Sequence, residues 1–264
     1  MRILILANNH LYANVALQKF LRKYHQNIAG LILPEFIIPG KSFLDSTLFL
    51  LKKSFFRFVF YKWLEVKIYQ LKLALGLGQL KQFAYYSKKF NFPLLKVSSV
   101  NSETTITVIK KLNPDVIYSV AFPQKISASV LKIPPNGCIN FHDSILPKYR
   151  GLCAYFWITA HNEPKGGVTA IYIDKQLDTG KIIMQRDYPI GKNDTMQKVY
   201  FNNAKLMAEM IFAVQDKLDK NQVRAYKQKK AGESYYSWPN KEGYTLFKKH
   251  QKRFFRFKEL WGSI

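Results

Sequence analysis

Two short apolar runs near the start of the chain constrain its fold more than any other feature. RILILA at residues 2–7 and IAGLIL at 28–33 are of strand length and almost free of polar side chains. Between them, Tyr12 to Tyr24 carries Val15, Leu17, Phe20 and Leu21 at helical spacing. Strands without polar alternation are strands covered on both faces. Strand, helix and strand in that order form a βαβ unit, and so a parallel sheet. Purely helical and purely antiparallel architectures are excluded.

The same rhythm returns later. Lys81 to Phe90 reads as a helix, Leu94 to Val97 as a strand, and Asn101 or Ser102 caps a helix that Asn113-Pro114 stops. Asp115 to Val120 is the next strand, Ala121 to Lys125 a loop and Ile126 to Leu131 a short helix. A turn at Pro134 to Gly137 precedes a strand beginning at Cys138. Leu152 to Asn162 reads as a helix, Gly167 to Ile173 and Gly180 to Arg186 as strands, and Met196 to about Leu218 as a long helix capped by Asn193 or Thr195. Residues 41–80 break this order with an aromatic, basic, helical stretch. Beyond Val223 little α/β character remains. The expected organisation is a domain over 1–190 with a helical insert at about 41–80, and an extension over 191–264 that is not independent.

The chain has 264 residues and a formal net charge of +24, from 41 basic and 17 acidic residues. A field of that sign suits nucleic acid, anionic lipid or a phosphate-bearing substrate, although lysines spread along the whole chain also fit a solvated surface. The insert has six Lys and one Arg against Asp45 and Glu65, which keeps contact with a membrane surface open. Its basic residues at 52, 57, 62, 67 and 72 fall around a helix axis rather than on one face, so two shorter helices packed on the core serve as well. Two cysteines, no cleavable leader at Met1 and no apolar run of membrane-spanning length indicate a cytoplasmic protein, with peripheral attachment to the inner membrane face as the option.

Chemistry concentrates in CINFHDSILPKYRG, residues 138–151. Asn140 and His142 lie two apart on a strand and so share a face. They sit where the strand leaves the sheet, the usual ligand position in open α/β folds. Asp178, in LDTG, follows the next strand and can return beside His142. An amide donor, an imidazole and a carboxylate together suit acyl transfer to an amine: Asn steadies an oxyanion, His acts as acid, base or charge stabiliser, and Asp tunes the His. No His or Cys at ligand spacing accompanies His142, so no metal is expected. Asn8, Asn9 and His10 end the first strand and are either substrate contacts or a helix cap. Ser144 and Arg150 are further candidate substrate contacts.

INFHDSILPKYRG followed by GVTAIYIDKQLDTGKIIMQ resembles the formyltetrahydrofolate-dependent N-formyltransferase superfamily, over roughly residues 1–35 and 80–190. The order Asn-x-His, Ser-Leu-Leu-Pro and Leu-Asp-x-Gly stands here as Asn140 and His142, Ser144-Ile145-Leu146-Pro147, and Leu177-Asp178-Thr179-Gly180. The resemblance implies a Rossmann-like α/β fold with a mostly parallel sheet flanked by helices. It implies Asn140, His142 and Asp178 as catalytic residues and N10-formyltetrahydrofolate as co-substrate. Phe122, Pro123, Gln124, Lys125 and Ile126 would then hold the pterin through backbone groups, with Asp174 to Leu177 closing the other side. Asp143 departs from the family pattern; by strand alternation it should point away from His142 and do little harm, although it could shift the local pKa. Ile171 replaces a second His common in relatives.

For the acceptor, the amine of a small amino-deoxy sugar, nucleotide-linked, ranks first. The first turn lacks the Gly-rich phosphate loop of the glycinamide ribonucleotide enzymes, and the extension is short for a tRNA formyltransferase. tRNA ranks lower, and a homodimer is admitted. A non-catalytic membrane- or RNA-binding protein on the same fold is the alternative of a different class.

Overall fold

The computed structural model of the protein describes residues 1–36, 42–76, 80–229 and 231–262. The first elements are β1 (Ile3–Ala7), α1 (Leu11–Lys23) and β2 (Ile28–Pro34), with β2 parallel to β1. The insert holds two helices, α2 (Phe43–Lys53) and α3 (Phe56–Ala74). Then come α4 (Phe83–Phe90), β3 (Leu94–Val97), α5 (Glu103–Leu112), β4 (Val116–Val120), α6 (Ala128–Leu131) and β5 (Cys138–His142). The remainder is β6 (Arg150–Gly151), α7 (Ala154–Ala160), β7 (Lys165–Tyr172), β8 (Ile182–Pro189), α8 (Met196–Asp219), β9 (Tyr235–Tyr236), α9 (Lys241–Lys249) and α10 (Phe257–Gly262).

The seven-stranded sheet runs β3-β2-β1-β4-β5-β7-β8. Its first five strands are parallel, while β7 is antiparallel to β5 and to β8. This is the expected mostly parallel sheet flanked by helices. Strand alternation divides the core. Ile3, Ile5 and Ala7 face a large cluster with α1, α7 and α8, whereas Leu4 and Leu6 face a smaller one with Ile109 of α5 and Val130 of α6. Chain order leaves β1 in both directions, toward β2 and toward β4. That switch point brings together the carboxyl ends of β1, β4 and β5, the usual ligand position of such sheets, where Asn8–His10, Ala121–Ile126 and His142 lie.

Local chemistry sets the element ends. The Ser102 and Thr195 side chains accept from Thr105 N and Lys198 N and cap α5 and α8. Two boundaries differ from the sequence reading for clear local reasons. The helix expected from Leu152 starts at Ala154, because Gly151 and Cys153 have φ of 97° and 53°, outside the helical region. The strand expected from Gly180 starts at Ile182, because Gly180 lies flat against β7: a Cβ there would stand 1.6 Å from the Tyr172 carbonyl oxygen. The tail is more ordered than its composition suggests. Asn240 caps α9 by accepting from Gly243 N, and Phe247 is buried between Phe156 and Phe254 at centroid distances of 5.6 and 4.9 Å.

Candidate active site

Asn140, His142 and Asp178 converge. Asn140 and His142 project from β5, and the turn after β7 carries Asp178 back to them. Asn140 Nδ2 donates to Asp178 Oδ1 at 3.4 Å, and His142 Nδ1 lies 3.7 Å from Asp178 Oδ2. The second distance fits an ion pair but is too long for a hydrogen bond. The other ring nitrogen, Nε2, donates to the Tyr149 carbonyl at 2.8 Å, fixing the ring. His142 and Asp178 are both buried. Asp178 holds a φ of 56°, rare and costly for a residue with a side chain. Its Oδ2 accepts from Gly151 N at 2.9 Å, which helps hold it there.

Burial pulls the His142 pKa down. The Asp178 carboxylate, then Asp143 and the Tyr149 carbonyl, push it up, with Arg150 opposing; the balance lies above the ordinary histidine value. Asp143 thus shifts the local pKa, the effect its place beside His142 allowed. It lies just past the end of β5, so strand alternation no longer applies to it. Its own pKa is raised, first by burial, while His142 and backbone N–H donors counteract. The result is a buried imidazole biased toward its cation, beside an amide donor and a carboxylate.

The other candidates occupy varied positions. His10 caps α1, its Nδ1 accepting from Ala13 N at 3.3 Å, and burial together with the Lys62 ammonium lowers its pKa to about 3, so the ring is neutral. Asn8 is half-buried and Asn9 exposed. Ser144 is fully buried and donates to the Lys148 carbonyl at 2.8 Å, closing its own loop. Arg150 reaches the tail: Nη1 pairs with Glu233 Oε2 at 3.0 Å and Nη2 donates to Gln228 Oε1 at 3.1 Å. Ile171 packs with Leu146 and Ile182 in a small apolar cluster. Burial pushes the Cys153 thiol up to about 12, so it is not a thiolate.

The loop after β4 is held by side chains of its neighbours. Gln124 Oε1 accepts from Val100 N at 2.7 Å and its Nε2 donates to Ser98 O at 3.0 Å. Asn101 Nδ2 donates to Lys125 O at 2.8 Å. Gln124 thus spends its side chain on shaping the loop. In the facing turn, Asp174 accepts from Gln176 N and from the Thr179 hydroxyl, and Leu177 is 46% exposed. Among the described residues no group of three or more His, Cys, Asp or Glu could hold a metal.

Several contributors carry no recognisable sequence signal. Gln228 Nε2 donates to the carbonyls of Asp178 and Gly180 at 2.8 and 2.9 Å, while its Oε1 accepts from Arg150. Ser234 Oγ accepts from Tyr149 N at 2.9 Å, and β9 pairs with β6. The tail therefore straps Tyr149, Arg150 and Asp178 together. Thr169 Oγ1 donates to Ser144 O and accepts from Leu146 N, fixing the turn after β5.

The protein belongs to the formyl transferase family, whose profile matches residues 67–220. Among curated relatives, a methionyl-tRNA formyltransferase from Citrifermentans bemidjiense is 34% identical over 156 residues, 59% of this chain and 49% of that one. One from Clostridioides difficile is 37% identical over 137 residues, 52% and 43% of the two chains. The chain thus spans about half the length of the curated relatives it matches. Among solved structures, a sugar 3N-formyl transferase determined in the presence of dTDP and 5-N-formyl-THF superposes with a TM-score of 0.60 at 22% identity, over 90% of this chain and 70% of that one. A phosphoribosylglycinamide formyltransferase from Anaplasma phagocytophilum gives 0.61 at 15% identity, over 91% and 99%. These two likenesses show a common fold.

Proposed function

We propose that the protein transfers the formyl group of N10-formyltetrahydrofolate to the primary amine of an amino-deoxy sugar carried on a nucleotide. The observation that carries the reaction is the convergence of Asn140, His142 and Asp178 at the mouth of the sheet in a chain of this family. The co-substrate supplies an activated formyl carbon. Phe122 to Ile126 and the Asp174–Leu177 turn would hold its ring system, which fits a loop whose polar side chain, Gln124, is already committed within the protein.

As the amine adds to the formyl carbon, negative charge grows on the formyl oxygen. The Asn140 amide and the His142 cation are the donors for that charge, and each such donor is worth roughly 10²–10³ in rate. Asp178 keeps His142 charged and receives the amine's proton on its way to the departing nitrogen. Arg150 and the Asn8–His10 turn are the candidate acceptor contacts.

A small acceptor is supported by the tail, which folds back on the site's own edge through β9 and α9; the chain then acts as one catalytic unit with a dependent extension. A second reading, formylation of methionyl-tRNA, is favoured by the curated relatives and by the charge of +24. Mass spectrometry of nucleotide-linked amino sugars and of formylatable tRNA, each incubated with protein and N10-formyltetrahydrofolate, separates the two. Formylation of a sugar, lost in Asn140→Ala and His142→Ala, is expected. Formylation of tRNA alone overturns the sugar reading, and activity that survives both substitutions overturns the mechanism.

A further inference from the structure

A helix packed on a domain normally turns its polar side to water. α3 does not. Its inner side buries Phe58, Tyr61, Glu65 and Tyr69. At about 100° per residue, Phe56, Phe60 and Trp63 fall together on the opposite side, and they are 70%, 48% and 48% exposed. Their rings stack in sequence, with centroids 6.1 and 5.8 Å apart. α2, which packs against α3, repeats the pattern with Leu44, Leu48 and Leu51, all exposed. Isolated exposed apolar side chains are ordinary, but two stripes on adjoining helices are the signature of a contact surface.

On one continuous helix the basic residues of this segment share no single face, and the sequence equally admitted two shorter helices packed on the core. The structure breaks it into two helices and buries Lys72, while Lys62 turns inward over the Tyr200 ring at 4.9 Å and pairs with Glu65. Lys52, Lys53, Arg57 and Lys67 remain exposed. Against them, Asp45 is the one exposed carboxylate among the described residues of the two helices.

We propose that the outer faces of α2 and α3 dock the protein onto an anionic lipid bilayer, with Phe56, Phe60, Trp63 and the three leucines in the interfacial layer and Lys52, Arg57 and Lys67 among the headgroups. Aromatic and leucine side chains flanked by Lys and Arg are what an interfacial helix requires. A second copy of the chain is a poorer occupant, since an isologous contact sets the same basic rim against itself. No helix among the described residues is long and apolar enough to cross a membrane, so the contact is peripheral. It is also rigidly linked to the rest of the molecule. Tyr61 donates to Gln197 of α8, and the Tyr69 hydroxyl accepts from Asn14 of α1 at 2.9 Å. This inference does not rest on the proposed reaction.

Co-sedimentation of the full chain with vesicles tests it, using phosphatidylcholine alone and phosphatidylcholine mixed with phosphatidylglycerol. Salt-sensitive binding to the mixed vesicles is expected. Phe60→Ser/Trp63→Ser should weaken it about tenfold or more, by removing two buried rings. Arg57→Glu/Lys67→Glu should weaken it by at least about tenfold through charge. The substituted side chains are exposed, and Leu48→Ser/Leu51→Ser on α2 is an independent second pair. Absence of binding to mixed vesicles overturns the proposal, as does binding unchanged in the Phe60/Trp63 and Leu48/Leu51 variants. Equal binding to neutral vesicles overturns the anionic assignment. A dimer that Phe60→Ser/Trp63→Ser dissociates, with no vesicle binding, reassigns the face to self-association.

Discussion

Replacing Gln228 by Met keeps the side chain's length and removes its three hydrogen bonds. Two are donated to the carbonyls of Asp178 and Gly180, and one is accepted from Arg150. Neutral bonds contribute about 0.5–1.5 kcal/mol each and one to a charged group about 1.5–3. Gln228 is half-buried, and discounting for water that can replace the lost partners leaves a stability loss of about 2–3 kcal/mol. That corresponds to roughly 4–12 °C in melting temperature for a domain of this size. The effect on the site should be larger in proportion. Asp178 sits at a φ of 56°, a conformation held against a cost of roughly 1–2 kcal/mol. Loss of the strap lets the turn relax, and displacement of a reacting group by about 1 Å costs on the order of 10²-fold in rate. Formyl transfer should therefore fall in kcat by about 10- to 100-fold, with the KM for N10-formyltetrahydrofolate changing much less. Hydrogen exchange of the peptide bearing Gly151, whose N–H is held by Asp178, should speed up in parallel. A variant that loses stability yet keeps wild-type kcat and Gly151 protection would refute the reasoning.

Two further outcomes are expected. The raised His142 pKa implies a stability contribution that is fully present below the unfolded-state value and is lost as pH rises through the folded one. Asp178→Asn removes the largest of the upward influences, so an NMR titration of the His142 ring should move down; an unmoved titration would show that Asp178 does not set it. Phe247→Ala, deep between Phe156 and Phe254, should lower unfolding free energy by about 3–5 kcal/mol in urea, whereas a change under about 1 kcal/mol would mean that the tail is not part of the core.

How far the sequence reaches depends on the range of the forces involved. The parallel sheet was legible because β1, β2 and β4 must be apolar on both faces, which leaves a local pattern. Asn140 and His142 were legible because they share one strand, and Asp178 because its turn follows the adjoining strands. The influence of Asp143 on the local pKa was legible because it adjoins His142 in the chain. Gln228 and Ser234 left no signal. They act through single hydrogen bonds to backbone groups far away in the chain, and a Gln or Ser in a polar stretch looks the same whether or not it makes them. The exposed stripes of α2 and α3 were hidden for a related reason: only the break between the helices and the burial of Lys72 reveal which residues face outward.

The strap also imposes an order of events during synthesis. Gln228 lies 78 residues beyond Arg150, its partner. Every residue of the Asn140, His142 and Asp178 constellation leaves the ribosome well before the segment that braces it. A nascent chain can thus build its sheet through β8 and still lack the bonds that hold Asp178 in its left-handed conformation. The braces on Asp178, Tyr149, Arg150 and Gly151 become available only when Gln228, Ser234 and Tyr235–Tyr236 have emerged. Until then the chain lacks both these bonds and the packing of Phe247 against Phe156, so truncation after α8 should loosen the site and weaken the core together.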